Sequence, residues 1–267
     1  MKKYGLYLKK ALGQNFLSSE FYAEKIVELA NISEKDNVLE IGAGAGTLTV
    51  ALAKTGATVF AIEIDRRMEP VLKERLSTFP NVVVIFQDFL TMDMSFLPKG
   101  YKCVSNIPYY ITAPILKKLL FTDFQSVYIM LQKEVGERLV NQPGSSNRGF
   151  LSVVVQTVAH VEKVLNIPKG AFVPNPKVDS VVIKIAKKES LPFKNLSELK
   201  SYWKFVSNCF GQKRKTIYNN LKNMVPKEKL ENMLINCAIN QDARPEQLSD
   251  EQFFQLWRYC YEEGLCI

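Results

Sequence analysis

The chain contains 267 residues, of which 47% are hydrophobic and 23% are charged. Those proportions are ordinary for a globular protein, and the length suffices for one large α/β domain with a small appendage. The formal net charge of +8 is not ordinary, and it predicts either a polyanionic partner or an acidic membrane surface. A generically basic protein is the alternative if the positive residues are not clustered.

Cysteine and histidine usage excludes several kinds of site. The single histidine, His160, excludes an HExxH zinc site, and we predict a structural role for it. With one histidine, a His-rich metal cluster is also excluded, and we expect no bound metal. The N-terminal segment lacks the uninterrupted apolar core of a secretory signal, and no stretch is long enough to span a membrane, so we expect a cytoplasmic protein. The cysteines form no Cys-x-x-Cys pair, which indicates free thiols in a reducing compartment: Cys103, Cys209, Cys237, Cys260 and Cys266.

Strand and helix patterns alternate through residue 187. A helix over residues 20–30 begins at a Ser-Ser-Glu cap, and further helices are predicted over 47–53, 66–77, 111–120 and 133–140. Strands are predicted over 38–41, 58–64, 81–86, 101–105, 126–131 and 179–185, while the apolar stretches 150–158 and 161–167 fit either type. This alternation predicts an α/β fold, a doubly wound sheet with helices on both faces.

Composition shifts after residues 187–192, which we take as a linker between domains 1–187 and 188–267. The second domain is predicted to be small and all-helical, with helices over 196–210, 213–223 and 227–237 and a last one capped by Ser249 and Gln252. Its basic residues Lys213, Arg214, Lys215 and Lys222 predict a nucleic-acid-binding surface. A solvated helix face is the alternative interpretation.

A glycine-rich turn links the first long strand to a helix. In the segment Glu40-x-Gly42-x-Gly44-x-Gly46, the third glycine comes one position too early for the dinucleotide fingerprint, which requires it at Thr47. A ligand-free turn remains an alternative. The acidic residues before the turn and at Glu63 favour another cofactor, because the pattern resembles the loop of class I S-adenosylmethionine-dependent methyltransferases. That resemblance implies a Rossmann-like sheet and S-adenosyl-L-methionine as the methyl donor.

A second motif, Asn106-Ile107-Pro108-Tyr109, follows a predicted strand at the same sheet edge. The Asn106 side-chain oxygen and the Ile107 carbonyl can accept the two hydrogens of an exocyclic amine, which localises its lone pair for methylation. Pro108 fixes the backbone that aims this carbonyl, and Tyr109 offers a flat face to an extruded base. The motif resembles that of amino-group methyltransferases, although a plain turn is the alternative.

Seven motifs occur in order, at residues 13–17, 40–46, 63–65, 87–88, 106–114, 130–135 and 172–180. Together they resemble the ribosomal RNA small-subunit adenine N6,N6-dimethyltransferase family, from about residue 10 to the C-terminus. The resemblance implies an enzyme that dimethylates two adjacent adenosines in a hairpin loop near the 3′ end of small-subunit (16S) rRNA. It also implies that residues 1–187 are the catalytic domain and residues 188–267 an RNA-binding domain.

Roles follow from the resemblance wherever a motif matches. Asn15 and Leu17 would close over the methionine end of the cofactor, and Gly42 would line its loop. Glu63 would bind the ribose, Asp88 the adenine amino group, and Asn106 both cofactor and target amine. Phe172 would form the second stacking wall, opposite Tyr109.

Three other functions stay open at this stage. A large-subunit rRNA adenine methyltransferase of the macrolide-resistance type would share the chemistry, and a ribosome-assembly factor would use the fold without catalysis. A nicotinamide oxidoreductase is disfavoured by the displaced third glycine. For the preferred function we expect small-subunit rRNA in a pre-ribosomal particle as the partner, no membrane, and a monomer.

Overall fold

The computed structural model describes residues 15–265, which divide into two compact units. The first unit runs through Gly136 and resumes over Glu162–Lys187, and the second contains Glu137–Val161 and the chain from Lys188 onward. One division therefore follows Lys187, where the sequence predicted the domain boundary. The segment Glu137–Val161, which the sequence assigned to the first domain, clusters with the second unit instead. The catalytic and RNA-binding roles of the two domains stay predictions.

The described strands and helices alternate along most of the chain. The strands are β1 (Phe16–Leu17), β2 (Asn37–Ile41), β3 (Thr58–Glu63), β4 (Val82–Phe86), β5 (Tyr101–Asn106), β6 (Phe124–Gln132), β7 (Ala159–Ile167), β8 (Phe172–Val173) and β9 (Ser180–Lys187). The helices are α1 (Glu20–Leu29), α2 (Thr47–Ala53), α3 (Glu69–Leu76), α4 (Thr112–Leu120), α5 (Lys133–Val140), α6 (Phe150–Val158), α7 (Leu196–Cys209), α8 (Ile217–Leu221), α9 (Lys227–Asn236) and α10 (Asp250–Glu262). The two ambiguous stretches are thus one helix, α6, and one strand, β7.

Seven of these strands form one sheet in the order β4-β3-β2-β5-β6-β9-β7. The pairs β2–β3, β3–β4, β2–β5 and β5–β6 are parallel, whereas β9 runs antiparallel to β6. The strand order reverses between β2 and β5, and ligands of open α/β sheets bind beyond the carboxyl ends of the strands at such a point. The predicted glycine turn and the Asn106 motif follow these two strands, so the topology brings them to one edge.

Burial explains why the central strands lie where they do. Val38 and Leu39 on successive positions of β2 are both fully buried, because helices cover both faces of a parallel sheet. Ser19 caps helix α1, since its hydroxyl accepts a hydrogen bond from the Tyr22 amide, and the helix buries Ile26 in the same core as Leu52 of α2. Truncating Leu52 to alanine would cost about 2–5 kcal/mol.

The second unit is largely helical and has its own aromatic core. Trp257 of α10 packs within 5.7 Å of Tyr202 of α7, between ring centroids, and α10 begins with the predicted Ser249–Gln252 capping box. The Arg148 side chain is fully buried, paired with Asp250 and donating to the Leu248 carbonyl. Buried charges persist only when paired in this way, so this pair fixes the start of α10.

The helix predicted over residues 213–223 is shorter than expected. Only Ile217–Leu221 is helical, because Thr216 caps it by accepting a hydrogen bond from the Asn219 amide at 3.2 Å. Before it, the Asn220 side chain accepts from the Gln212 amide at 2.8 Å and closes residues 212–216 into a turn. The first half of the basic segment is therefore a loop.

Candidate active site at the carboxyl edge of the sheet

A cleft with an empty volume of about 830 Å³ opens at the carboxyl edge of the sheet, entirely within the first unit. It receives residues from the turns that follow four parallel strands, β2 to β5. Eight of the residues predicted from sequence line it together: Asn15, Gly42, Glu63, Asp88, Asn106, Ile107, Pro108 and Tyr109. The structure thus gathers one compact site from segments spread over more than ninety positions of the sequence.

The glycine turn forms one wall of the cleft. Gly44 has a positive φ of 55°, and a Cβ built there would lie 2.5 Å from the ring of Phe16. Gly42 has a φ of 82°, and its amide donates to the Ile62 carbonyl at 2.8 Å. No side chain larger than hydrogen fits at Gly44, so the turn presents bare backbone to the cleft.

Glu63 lies at the end of β3 and is tied down by main-chain amides. One carboxylate oxygen accepts from the Gly44 amide at 2.7 Å, and the other accepts from the Asp65 amide at 2.8 Å. Burial raises the pKa of Glu63, while these two hydrogen bonds act to lower it. Because a carboxylate has about four acceptor positions, the fixed oxygens keep capacity for two hydroxyl donors.

Glu40 on β2 is a buried carboxyl group with a free oxygen. No residue in the described part of the chain donates to its Oε2 atom, although the side chain is only 1% exposed. Burial, reinforced by the negative charge of Glu63 and opposed by Thr49, raises the pKa of Glu40 to about 8. Glu40 also lines a smaller cavity of about 240 Å³ that shares Gly42 and Asn106 with the main cleft. This buried oxygen therefore suits a cationic group of a ligand.

The loop after β4 forms the opposite wall and is fixed from α4. Asp88 accepts from the Leu90 amide at 2.9 Å, which leaves its second oxygen for a ligand. The Lys118 ammonium donates to the carbonyls of Phe89 at 2.6 Å, Leu90 at 3.2 Å and Met92, and it lies 5.0 Å from the centre of the Phe89 ring. Lys118 therefore holds the loop that carries Asp88.

Asn106 closes β5 with a defined amide orientation. Its Nδ2 donates to the Asn15 carbonyl at 3.0 Å, and no described residue donates to its Oδ1. One of the two N–H donors of the amide is thereby occupied, and its acceptor oxygen is left for the cleft. This is the arrangement required to accept a hydrogen bond from an amine.

The rest of the motif forms a rigid corner. Pro108 has a φ of −61° and begins a short 3-10 helix over Tyr109–Ile111, in which the Ile111 amide donates to the Pro108 carbonyl at 3.2 Å. The Tyr109 hydroxyl is 2.8 Å from the Ser180 hydroxyl, and burial raises the pKa of Tyr109. Its ring is therefore held in place beside Asn106.

Two predicted residues lie outside the main cleft. Leu17 and Phe172 face each other in the antiparallel pair β1–β8, and both belong to the hydrophobic core. Leu17 lines the smaller cavity beside Glu40. Phe172 is 0% exposed, so its ring has no free face in this arrangement. A stacking role for Phe172 stays a prediction, and it requires the β1–β8 pair to shift.

The other sequence predictions are placed as follows. The four basic residues of the predicted RNA surface are exposed in the second unit, whereas His160 is an exposed residue of β7. The four cysteines among residues 15–265 are free and buried. Cys266, Gly13 and Gln14 lie outside the described residues. Within residues 15–265, no group of three or more metal-ligating side chains is found, and no helix is long and apolar enough to cross a membrane.

Comparison with known proteins identifies the family. The profile of the family described as ribosomal RNA adenine dimethylase matches residues 5–262. The chain belongs to this family. Among curated relatives, it is 46% identical over 266 residues to a Thermotoga petrophila protein named ribosomal RNA small subunit methyltransferase A, covering 98% of this chain and 96% of that protein. A Levilactobacillus brevis protein of the same name is 40% identical, covering 99% of this chain and 94% of that protein.

Solved structures agree with this family assignment. A dimethyladenosine transferase from Plasmodium falciparum superposes with a TM-score of 0.79 at 32% identity, over 94% of this chain and 98% of that one. The 23S rRNA methyltransferase ErmE superposes with a TM-score of 0.69 at 28% identity, over 92% of this chain and 99% of that one. The fold of this rRNA adenine dimethylase is therefore the class I methyltransferase sheet with a helical C-terminal part, as predicted.

Sequence reasoning missed three residues of the cleft region. Phe16 packs on the glycine turn. The sequence indicated its involvement only through its position in the first motif, residues 13–17. Tyr110 lines the cleft directly after the Asn106 motif. Lys118 donates hydrogen bonds to carbonyl groups 26 to 29 positions earlier in the chain. No local sequence pattern predicts a contact over such a separation.

Proposed function

We propose that this chain transfers methyl groups from S-adenosyl-L-methionine to N6 of two adjacent adenosines in a hairpin loop near the 3′ end of small-subunit rRNA, giving N6,N6-dimethyladenosine during small-subunit biogenesis. Family membership supports the rRNA adenine chemistry. The observation that carries the proposal is the Asn106 amide, which donates one hydrogen bond to the Asn15 carbonyl and leaves its acceptor oxygen for the cleft.

The cleft fits the proposed cofactor. The bare turn at Gly44 admits close approach of a ligand, the fixed Glu63 carboxylate would hold two ribose hydroxyls, and Asp88 would accept from the adenine amino group. The unpartnered Oε2 of Glu40 suits the ammonium of the methionine part, and Asn15 and Leu17 would close over that end. A nearby cation would lower the raised pKa of Glu40 and favour its ionised form.

S-adenosyl-L-methionine supplies an electrophilic methyl group. The chain would contribute orientation, while the methyl donor leaves as S-adenosylhomocysteine after each transfer. In the first transfer, Asn106 Oδ1 and the Ile107 carbonyl would accept the two hydrogens of the adenine amine, which directs its lone pair towards the methyl group. In the second transfer, one of these acceptors would hold the single remaining hydrogen. Pro108 and the 3-10 helix fix that carbonyl, and the held ring of Tyr109 supports the extruded base. The methylated amine is acidic and releases its proton to water, so the reaction needs no side-chain base.

The substrate is large and anionic, which agrees with the net charge of +8. The exposed residues Lys213, Arg214, Lys215 and Lys222 would contact the phosphate backbone. We further propose that the protein acts as a monomer on a pre-ribosomal particle in the cytoplasm.

Nucleoside mass spectrometry tests this function. The protein is incubated with S-adenosyl-L-methionine and either small-subunit or large-subunit rRNA, and the position of N6,N6-dimethyladenosine is mapped. We expect it at two adjacent positions of the small-subunit rRNA only. Product confined to the large subunit would favour the macrolide-resistance type of enzyme, and no product on either RNA would favour a non-catalytic assembly factor.

A further inference from the structure

Tyr110 is a large aromatic residue that is exposed at the cleft. Its side chain is 62% exposed and lines the same cleft as Asn106 and Tyr109. No described residue forms a hydrogen bond with its hydroxyl. The proposed roles of the Asn106 motif leave this ring unused.

The backbone under Tyr110 is rigid. The residue lies in the 3-10 helix Tyr109–Ile111, which is closed at one end by the Ile111 amide on the Pro108 carbonyl. The Thr112 hydroxyl donates to the Tyr109 carbonyl at 3.0 Å and joins this turn to α4. A ring carried by a fixed backbone loses little conformational freedom when it binds a partner.

Tyr109 and Tyr110 project in different directions from the same turn. A 3-10 helix has about three residues per turn, so consecutive side chains point roughly 120° apart. The Tyr109 ring is held by Ser180, whereas Phe172, the predicted partner wall, has no free face. Tyr110 is therefore an exposed aromatic surface of the cleft that points away from the direction of Tyr109.

We propose that Tyr110 stacks on the nucleobase adjacent to the adenosine that enters the cleft. The proposal rests on the proposed function, in which the target has an adenosine as its direct neighbour. When one base is extruded into the cleft, the next base loses a stacking partner and stays outside. An exposed tyrosine ring replaces that partner, and such stacking is worth about 5- to 100-fold in affinity.

Two substitutions of Tyr110 and one control test this role. Tyr110→Ala removes the ring, and Tyr110→Phe keeps it without the hydroxyl. Phe21→Ala is the control, because Phe21 is 68% exposed in the same unit but does not line the cleft. The measurements are the dissociation constant of small-subunit rRNA, the KM for that RNA during methylation, and the dissociation constant of S-adenosyl-L-methionine by calorimetry.

We expect Tyr110→Ala to weaken RNA binding and to raise the KM for RNA by about 5- to 100-fold, with unchanged cofactor affinity. Tyr110→Phe and Phe21→Ala should match the wild type. RNA affinity of Tyr110→Ala equal to that of the wild type would overturn the proposal. So would an equal loss in Tyr110→Phe, which indicates a hydroxyl contact, or an equal loss of cofactor affinity. If the wild type forms no N6,N6-dimethyladenosine, the proposed function is wrong. The role of Tyr110 is still tested in that case, because the dissociation constant of the RNA does not depend on methylation.

Discussion

At the amino-terminal edge of the sheet, polar side chains hold loops in place. Asp36, just before β2, accepts from the Ser33 amide at 2.7 Å and from Lys102 at 3.1 Å, and Asn81 donates to the carbonyls of Ala53 and Ala57. At the carboxyl edge, the Oε2 of Glu40 and the Oδ1 of Asn106 have no donor in the described part of the chain. Residues of the same type therefore close loops at one edge and line the cleft or the smaller cavity at the other.

The two edges differ in what their polar side chains face: loops at the amino-terminal edge and a cavity at the carboxyl edge. A buried polar group without a partner costs about 1–3 kcal/mol. At the cleft, a ligand can supply the partner that the buried Oε2 of Glu40 lacks. The matched residues at the two edges allow this interpretation to be tested pair by pair.

The largest effect is expected for the asparagine pair. Asn106→Ala should lower the methylation rate at saturating substrates by about 100- to 1000-fold, because the target amine loses a hydrogen-bond acceptor that is already in position before the reaction. Asn81→Ala should lose about 1–3 kcal/mol of unfolding free energy and keep the wild-type rate. The measurements are single-turnover methylation and urea unfolding. A normal rate for Asn106→Ala would contradict its orienting role.

The acidic pair should differ in the pH dependence of stability. The raised pKa of Glu40 keeps it protonated in the folded state while the unfolded chain ionises, so its contribution is full below the unfolded pKa and declines as the pH rises towards about 8. Glu40→Gln removes this decline. We expect its unfolding free energy, relative to the wild type, to rise by a few kcal/mol between about pH 5 and about pH 8.

Asp36→Asn provides the control for that measurement. Burial acts to raise the pKa of Asp36, but hydrogen bonds from Ser33 and Lys102 lower it. Its stabilising contribution is therefore lost only at acidic pH, and Asp36→Asn should shift the unfolding curves by a constant amount between about pH 5 and about pH 8. Parallel pH profiles for Glu40→Gln and the wild type would refute a protonated Glu40 in the folded protein.

A smaller effect is expected at Glu63. Glu63→Gln places an amide donor against the Gly44 or Asp65 amide and should weaken S-adenosyl-L-methionine binding by about 1.5–3 kcal/mol, or roughly 10- to 100-fold. Calorimetric titration measures this change, and Asp36→Asn should bind like the wild type. Equal affinities for Glu63→Gln and wild type would exclude Glu63 from the cofactor site.

The smallest effect concerns the charges of the second unit. Neutralising Lys213, Arg214 and Lys215 should reduce the slope of log affinity for RNA against log salt by about 0.7–0.9 for each phosphate that the variant no longer neutralises. Lys227 and Lys229 serve as controls, since each pairs with a glutamate at 3.9 Å and 2.8 Å respectively. An unchanged slope in the first variant would mean that the RNA-binding surface lies elsewhere on the protein.

Short sequence patterns correctly predicted those elements whose conformation depends on a few neighbouring residues. The glycine spacing, the apolar strand before it and the Ser249–Gln252 cap follow from backbone requirements of a few residues, and the structure confirms these elements. Parallel strands then bring Glu63 and Asn106 to one edge, which is why the residues of the cleft could be named in advance.

The structure differs from the predictions where contacts between distant parts of the chain determine the conformation. The helix predicted over 213–223 is shorter in the structure because Asn220 and Thr216 stabilise a turn that replaces its first half. The resemblance assigns Phe172 a stacking role, but pairing of β8 with β1 buries its ring in the core. Lys118 was not foreseen because its three carbonyl partners belong to another part of the chain.

The central claim is that the unpartnered groups of the carboxyl edge receive the methyl donor and the target amine. A crystal structure of the protein with S-adenosylhomocysteine tests it most directly. We predict the ribose hydroxyls within hydrogen-bond distance of Glu63, the amino group near Oε2 of Glu40, and the sulfur facing Asn106. A ligand bound outside this cleft, with Glu40 and Asn106 still unpartnered, would contradict the account.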